Sequence, residues 1–142
     1  MKLCTKSRYG IRLLLDMVRH NGSEPIQLGE VAKRQNLPLK YLEQILIPLK
    51  KGNYVQSVRG RKGGHKLAKP ASEITVGEIV ALLENSSTLV DCTNDDTICD
   101  RSGVCPVRLV WREASEALFG VLNNVTFADL AKKIDPFENL DL

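Results

Sequence analysis

Two short apolar stripes at helical spacing, with an abrupt break between them, make residues 28–51 the stretch that most limits how this chain can fold. Leu28, Val31 and Ala32 mark the inner face of a first helix that ends near Gln35. Asn36-Leu37-Pro38 is the turn. A second helix from Leu39 to Lys51 has Leu39, Leu42, Ile45, Leu46 and Leu49 as its inner stripe, with Lys40, Tyr41, Glu43 and Gln44 facing out. Two short helices joined this tightly are the helix-turn-helix pattern. Pro48 removes a backbone donor inside the second helix and clashes with the turn before it, so a kink or an early end is expected there.

The flanking segments extend this unit. Residues 5–20 read as a helix with Ile11, Leu14, Leu15 and Val18 inward and Arg8, Arg12, Asp16 and Arg19 on the other side. Asn21-Gly22-Ser23-Glu24-Pro25 breaks it. Beyond Gly52-Asn53, the β-prone runs Tyr54-Val55-Gln56-Ser57-Val58 and His65-Lys66-Leu67-Ala68 flank a basic, glycine-rich tip. That makes a hairpin, the wing of a winged helix. Arg59, Arg61 and Lys62 bring charge to the tip, and Gly63 and its neighbours offer bare backbone amides for gripping phosphates or entering a minor groove.

Pro70-Ala71-Ser72 is a hinge, and the capping box Thr75-Val-Gly-Glu78 opens a helix to about Asn85. Residues 86–106 form a long irregular loop, a length that is usually functional in a compact domain. Pro106 suits the first position of the next helix. Val107, Val110, Trp111, Ala114, Ala117, Leu118, Val121 and Leu122 then recur at 3–4 residue spacing. Residues 107–124 span roughly 27 Å as a helix. Its apolar face, Trp111 and Phe119 included, exceeds what a small N-terminal module can cover, so a homodimer interface is preferred over intramolecular packing. A second capping box, Thr126-Phe-Ala-Asp129, starts a short helix to Lys133, and the tail after Pro136 is expected to fray. The fold class is mainly α with a small β-hairpin wing. Residues 1–70 form a winged helix-turn-helix module. Residues 71–142 supply the linking helix, the loop, a long dimerisation helix and a short C-terminal helix.

Charge divides along the same line. Residues 1–70 carry 15 Lys/Arg against 4 Asp/Glu, and residues 71–142 carry 5 against 13. A module this basic neutralises phosphates, unless it is simply a solvated face. With no apolar run of 18 residues and no secretory h-region, the chain is expected in the cytoplasm without a membrane segment. Thiols stay reduced there, so the four cysteines read as ligands or reactive groups rather than disulfides.

Cys92, Cys99 and Cys105 lie in the loop at Cys-x6-Cys-x5-Cys spacing, with Asp91, Asp95, Asp96 and Asp100 among them. Acidic neighbours disfavour a thiolate nucleophile, whereas a bound cation deprotonates the thiols and accepts the surrounding negative charge. Structural zinc sites prefer shorter Cys-x2–4-Cys knuckles, and iron–sulfur clusters tolerate wider spacing and non-cysteine ligands. Iron–sulfur therefore leads, zinc follows, and unligated thiols stay open. A thiol enzyme has little support, because no Cys–His–acid arrangement or Cys-x-x-Cys pair is present.

Lys40-Tyr41-Leu42-Glu43-Gln44-Ile45-Leu46, Leu49-Lys-Lys-Gly-Asn, Ser57-Val58-Arg59-Gly60 and Gly63-Gly64, with the opening Met1-Lys-Leu, Lys6, Arg8 and Tyr9, resemble the Rrf-two family. These are winged-helix bacterial repressors of the IscR and NsrR kind. The resemblance is dense over residues 1–85 and continues through the cysteines and the long helix. It implies a homodimer on a palindromic double-stranded DNA operator. It also implies a two-iron or four-iron cluster in each Cys92/Cys99/Cys105 loop, sensing iron–sulfur status, nitric oxide or redox state. Where IscR-like members place a histidine ligand three residues after the last cysteine, this chain has Arg108, which cannot coordinate. Position 8, acidic in some NsrR-like members, is Arg8. Cys4 of the other subunit, a loop aspartate, or a small thiol or water is left for the fourth place. Resemblance and residues together put Gln44 on adenine, Glu43 on cytosine N4, and Lys40 and Tyr41 on the backbone. Arg59 goes to the minor groove, and Arg61 and Lys62 to phosphates. The rival is the same DNA module without a cluster, controlled by zinc, a small molecule or a protein partner.

Overall fold

Residues 2–20 and 24–133 are described by a computed structural model. Among them, six α-helices and one hairpin follow in the order α1 (Thr5–His20), α2 (Leu28–Gln35), α3 (Leu39–Lys51), β1 (Val55–Val58), β2 (Gly64–Leu67), α4 (Val76–Glu84), α5 (Pro106–Asn123) and α6 (Phe127–Lys132). Most of the break at residues 21–25 and the tail after Pro136 lie outside the described residues.

The helix-turn-helix corner is made by three residues acting differently. Asn36 takes the left-handed conformation (φ 50°), and its N–H donates to the carbonyls of Ala32 and Lys33. The Leu37 N–H donates back to Ala32 at 2.9 Å while its side chain is buried. Pro38 then caps α3 in extended backbone. This wrap satisfies the last carbonyls of α2 and turns the chain sharply.

The stripe of α3 starts at Leu42, not Leu39. Leu42, Ile45, Leu46 and Leu49 are buried, whereas Leu39 is 42% exposed, and Leu37 in the turn is the buried leucine instead. The expected early end at Pro48 does not occur either, for α3 runs to Lys51. The Pro48 carbonyl accepts from Gly52 N–H at 2.9 Å, and Leu49 is fully buried in the last turn. Burying that side chain contributes about 2 kcal/mol, which offsets much of the roughly 3 kcal/mol cost of an interior proline.

The inner face of α1 also differs from its sequence pattern. Gly10, Leu13, Leu14 and Met17 are buried, Ile11, Leu15 and Val18 are half-buried, and Asp16 points inward with Ser7. The reason is coverage on several sides: α2, α3, α4 and α6 all pack on α1. A single polar–apolar division cannot describe a helix so enclosed.

Both capping boxes are present. Glu78 N–H donates to Thr75 Oγ1 at 3.2 Å and Thr75 N–H to Glu78 Oε2 at 2.8 Å. Asp129 and Thr126 exchange the same pair at 3.1 Å each. The starts of α4 and α6 are joined by Val76 N–H to Val125 at 2.9 Å and Phe127 N–H to Ile74 at 3.0 Å. Phe127 thereby enters the same core as Leu13, Leu42, Ile79 and Leu83, so the N-terminal and C-terminal segments share one apolar centre. No helix among the described residues is long and apolar enough to cross a membrane.

Candidate functional site

Two separate groups of residues carry the chemistry. The first is the outward face of α3 with the hairpin tip. With Leu42, Ile45 and Leu49 turned into the core, Lys40, Glu43 and Gln44 are exposed. Tyr41 is half-buried and meets Tyr9 of α1 edge-on, ring centroids 5.7 Å apart and planes at 89°. The Arg12 guanidinium lies 5.8 Å from the Tyr9 centroid. Thr5 and Tyr9 line one shallow recess with Pro38, Lys40, Tyr41 and Gln44. Sequence reading assigned this face to α3 alone. The structure adds Thr5 and Tyr9 of α1 to it, and nothing in the sequence pairs Tyr9 with Tyr41.

β1 and β2 pair antiparallel from Val55–Leu67 to Val58–Gly64, leaving residues 59–63 as the tip. Arg59, Arg61 and Lys62 are exposed. Gly60 has φ 115°, and Gly64 has φ 155° with the Ile26 carbonyl 2.4 Å from where a Cβ would stand, so both positions require glycine. Gly63 is buried: its N–H donates to Gly60 and its carbonyl accepts from the Gln27 side chain. It shapes the tip with both backbone groups engaged inside the protein. Ile26 and His65 exchange two backbone bonds of 2.8 Å, so the wing is tied to the segment that opens α2. Burial, reinforced by Lys50, holds the His65 imidazole below its ordinary pKa.

The second group is the loop from 86 to 105. It docks on α5 through Leu89 N–H, which donates to the buried Ser115 hydroxyl at 2.9 Å, and that hydroxyl donates to Trp111 O at 2.7 Å. Arg108, in the first turn of α5, organises the rest. Its Nε donates to Cys92 O at 2.7 Å and its Nη1 to Ser102 O at 3.2 Å, while Nη2 pairs with the Asp96 carboxylate. The Arg108 side chain is only 11% exposed. Sequence reading saw this residue only as a missing ligand. Its length and five donors are what let one side chain hold three strands of loop.

Cys92, Cys99 and Cys105 are free and half-buried. As a donor set, three soft thiolates fit an iron–sulfur cluster or a zinc ion. The described residues do not gather three His, Cys, Asp or Glu side chains into a metal-holding group. The donor chemistry therefore fits while the loop is knitted by Arg108. Arg108→Ala is expected to open it, with trypsin cleaving after exposed Arg101 about tenfold faster in metal-free protein. An unchanged cleavage rate would show that the three bonds do not hold the loop.

Cys4 is exposed and lies outside any such group. It precedes α1, where its Sγ accepts from Ser7 N–H at 3.4 Å and its own N–H donates to Glu84 Oε1 at 2.8 Å. Hydrogen bonds from Ser7 and then Cys4 keep the Glu84 carboxyl below the usual carboxylate range. The thiol thus caps α1, and the Cys4 backbone N–H ties that helix start to α4. Along α5 only Ser115 is buried, and Val107, Leu109, Val110, Trp111 and Val121 stand exposed.

Comparison with known proteins agrees with this arrangement. The family profile Rrf2, described as an iron-dependent transcriptional regulator, matches residues 3–133. Protein rrf2 of Nitratidesulfovibrio vulgaris is 41% identical over 132 residues, covering 93% of this chain and 88% of the relative. The HTH-type transcriptional regulator IscR of Serratia proteamaculans is 37% identical over 135 residues, covering 95% and 82%. Among solved structures, CymR, the global cysteine regulator of B. subtilis, superposes with TM-score 0.78 at 32% identity, covering 95% of this chain and 99% of that one. IscR of T. potens gives TM-score 0.75 at 31% identity, covering 97% and 96%.

Proposed function

The chain belongs to the Rrf2 family of transcriptional regulators, and from that premise we propose that it is a homodimeric cytoplasmic repressor whose grip on a palindromic operator follows the state of an iron–sulfur cluster on Cys92, Cys99 and Cys105. One observation carries the proposal. An outward polar face on α3 beside a cationic tip coexists, in one small protein, with a loop of three free thiols packed on an uncovered apolar helix.

At the operator, the outward face of α3 enters the major groove. Gln44 offers a donor and acceptor matched to adenine, and Glu43 an acceptor for cytosine N4. Lys40 and Tyr41 hold the backbone, Tyr41 braced from behind by Tyr9. Arg59 approaches the minor groove, with Arg61 and Lys62 on phosphates. The exposed apolar residues of α5 meet the same residues of a second copy, which sets two reading faces on half-sites about 34 Å apart. When bound, the cluster supplies a labile centre that responds to iron supply, nitric oxide or redox state. Arg108 presents the Cys92 and Ser102 segments of the loop, and Ser115 fixes its base on α5. For the fourth position the chain offers Cys4 of the second copy or a loop aspartate, and a small thiol or water is the alternative.

Arg59→Ala tests the reading face. Operator affinity is expected to fall several-fold with the fold of the protein intact, because Arg59 is exposed on the tip. Full retention of affinity would remove the assigned contact.

A second reading keeps the DNA-binding role and omits the cluster, leaving zinc, a small molecule or a protein partner as the regulator. It is favoured by the Arg108 knot, which orders the loop with protein groups alone. Iron and acid-labile sulfide content of anaerobically purified protein separates the two.

A further inference from the structure

Beyond its first turn, α3 presents one exposed large aliphatic side chain among outward residues that are otherwise polar. Ile47 is 66% exposed, the highest exposure of any large apolar residue on this helix. Residues 40, 44, 47 and 51 repeat at intervals of four, three and four, which puts Ile47 in line with Lys40, Gln44 and Lys51 along the middle of the face opposite the buried stripe. It borders a crevice with Gln27, Leu39, Glu43, Lys50 and His65, between α3 and the base of the wing. It has no place in the core, which Leu46 and Leu49 on either side already occupy.

An isolated exposed apolar residue is ordinary on a surface and needs no explanation by itself. This one stands in the centre of a face that must meet DNA, between two lysines. A lysine or arginine there would gain a phosphate, and a polar residue would gain a base edge. Isoleucine can do neither, and gains only by covering another apolar group. The major groove offers one such group, the C5-methyl of thymine.

We infer that Ile47 is a specificity-determining residue that packs on a thymine methyl in each half-site. This rests on α3 being the reading helix. At 1.5 Å per residue, Ile47 lies about 4.5 Å beyond Gln44 and about 6 Å beyond Glu43 along the helix. With base pairs 3.4 Å apart, the methyl belongs one to two pairs from the bases that Gln44 and Glu43 read. The contact discriminates without a hydrogen bond, since cytosine at that place has no methyl and a purine presents polar edges.

The probe is duplex DNA enriched by the wild-type chain from a randomised library, then remade with deoxyuridine replacing every thymidine. Deoxyuridine pairs as thymidine does and lacks only the methyl. Covering one methyl is worth about fourfold in affinity per half-site, so wild-type binding across two half-sites is expected to weaken about 15-fold on the uracil duplex. Ile47→Ala is expected to bind both duplexes equally, and Ile47→Val, which keeps a branched apolar tip, to retain sensitivity. Both replacements are at an exposed position, so folding is not the obstacle. Equal wild-type binding to both duplexes overturns the inference, as does an Ile47→Ala protein that loses the wild-type factor in full on uracil DNA. Failure to enrich any sequence overturns the reading role of α3, and this inference with it.

Discussion

Asp16→Ala is expected to lower stability by about 3 kcal/mol, more than removal of any surface charge in this chain. The Asp16 side chain has 0% exposure, yet it is acidic. Its carboxylate accepts Arg34 Nη2 at 2.6 Å and Nε at 3.1 Å, and Gln35 Nε2 at 2.9 Å, with His20 Nδ1 3.7 Å away. Arg34 and Gln35 are the last two residues of α2, so these bonds fasten the first helix of the helix-turn-helix to α1. Removing one partner of a buried pair leaves the other short of its bonds and costs 3–5 kcal/mol. The lower end applies because the Arg34 side chain is 33% exposed and regains water. A urea or thermal melt of the full chain reads the effect, the latter as a fall of about 10 °C in Tm. Asp16→Ala/Arg34→Ala together should cost less than the two single changes summed. A single-variant loss below about 1 kcal/mol would mean that apolar packing, not this ion pair, holds α2 in place.

Asp16 also marks where sequence legibility stops. The corner at Asn36-Leu37-Pro38, the glycine-rich wing and the two capping boxes were legible because each depends on neighbours within a few residues. The backbone of Gly60 and Gly64 and the Thr75–Glu78 exchange are local necessities, and the structure contains them. Asp16 among cations on α1 looks like a surface residue until α2 is brought against it. Leu39 fits the helical period of α3 but lies at the exposed first turn, a matter of where the core ends rather than of spacing. Phe127, in a six-residue helix near the end of the chain, gives no local sign that it is fully buried. At the candidate sites, residue types were legible and geometry was not. Three cysteines announce soft-donor chemistry, but nothing local to Arg108 tells that it reaches two carbonyls and a carboxylate in the loop before it.

The remaining prediction concerns the coupling between that loop and α3, and its effect is the largest on function. Cys92→Ser, Cys99→Ser and Cys105→Ser are each expected to reduce bound iron to background in anaerobically purified protein, because a neutral hydroxyl is a poor soft-metal ligand. Cys4→Ala is expected to leave iron bound but more readily lost if the second copy supplies that thiol. A physical route from loop to DNA exists. The loop is bonded to α5 by Ser115 and Arg108, α5 packs on α4, and Glu84 at the end of α4 accepts from Cys4 at the start of α1. At its other end α1 holds α2 through Asp16 and Arg34. On the proposed dimer, a change in the charge and shape of the loop is expected to shift the elements that position α3 in each copy. Couplings between distinct sites typically amount to 5–150-fold in affinity. The decisive measurement is operator affinity of the oxygen-free protein before and after its iron is removed, at fixed salt and on the same enriched duplex. The account predicts a difference of about tenfold or more, abolished in Cys92→Ser; identical affinities of an iron-loaded and an iron-free protein would contradict it.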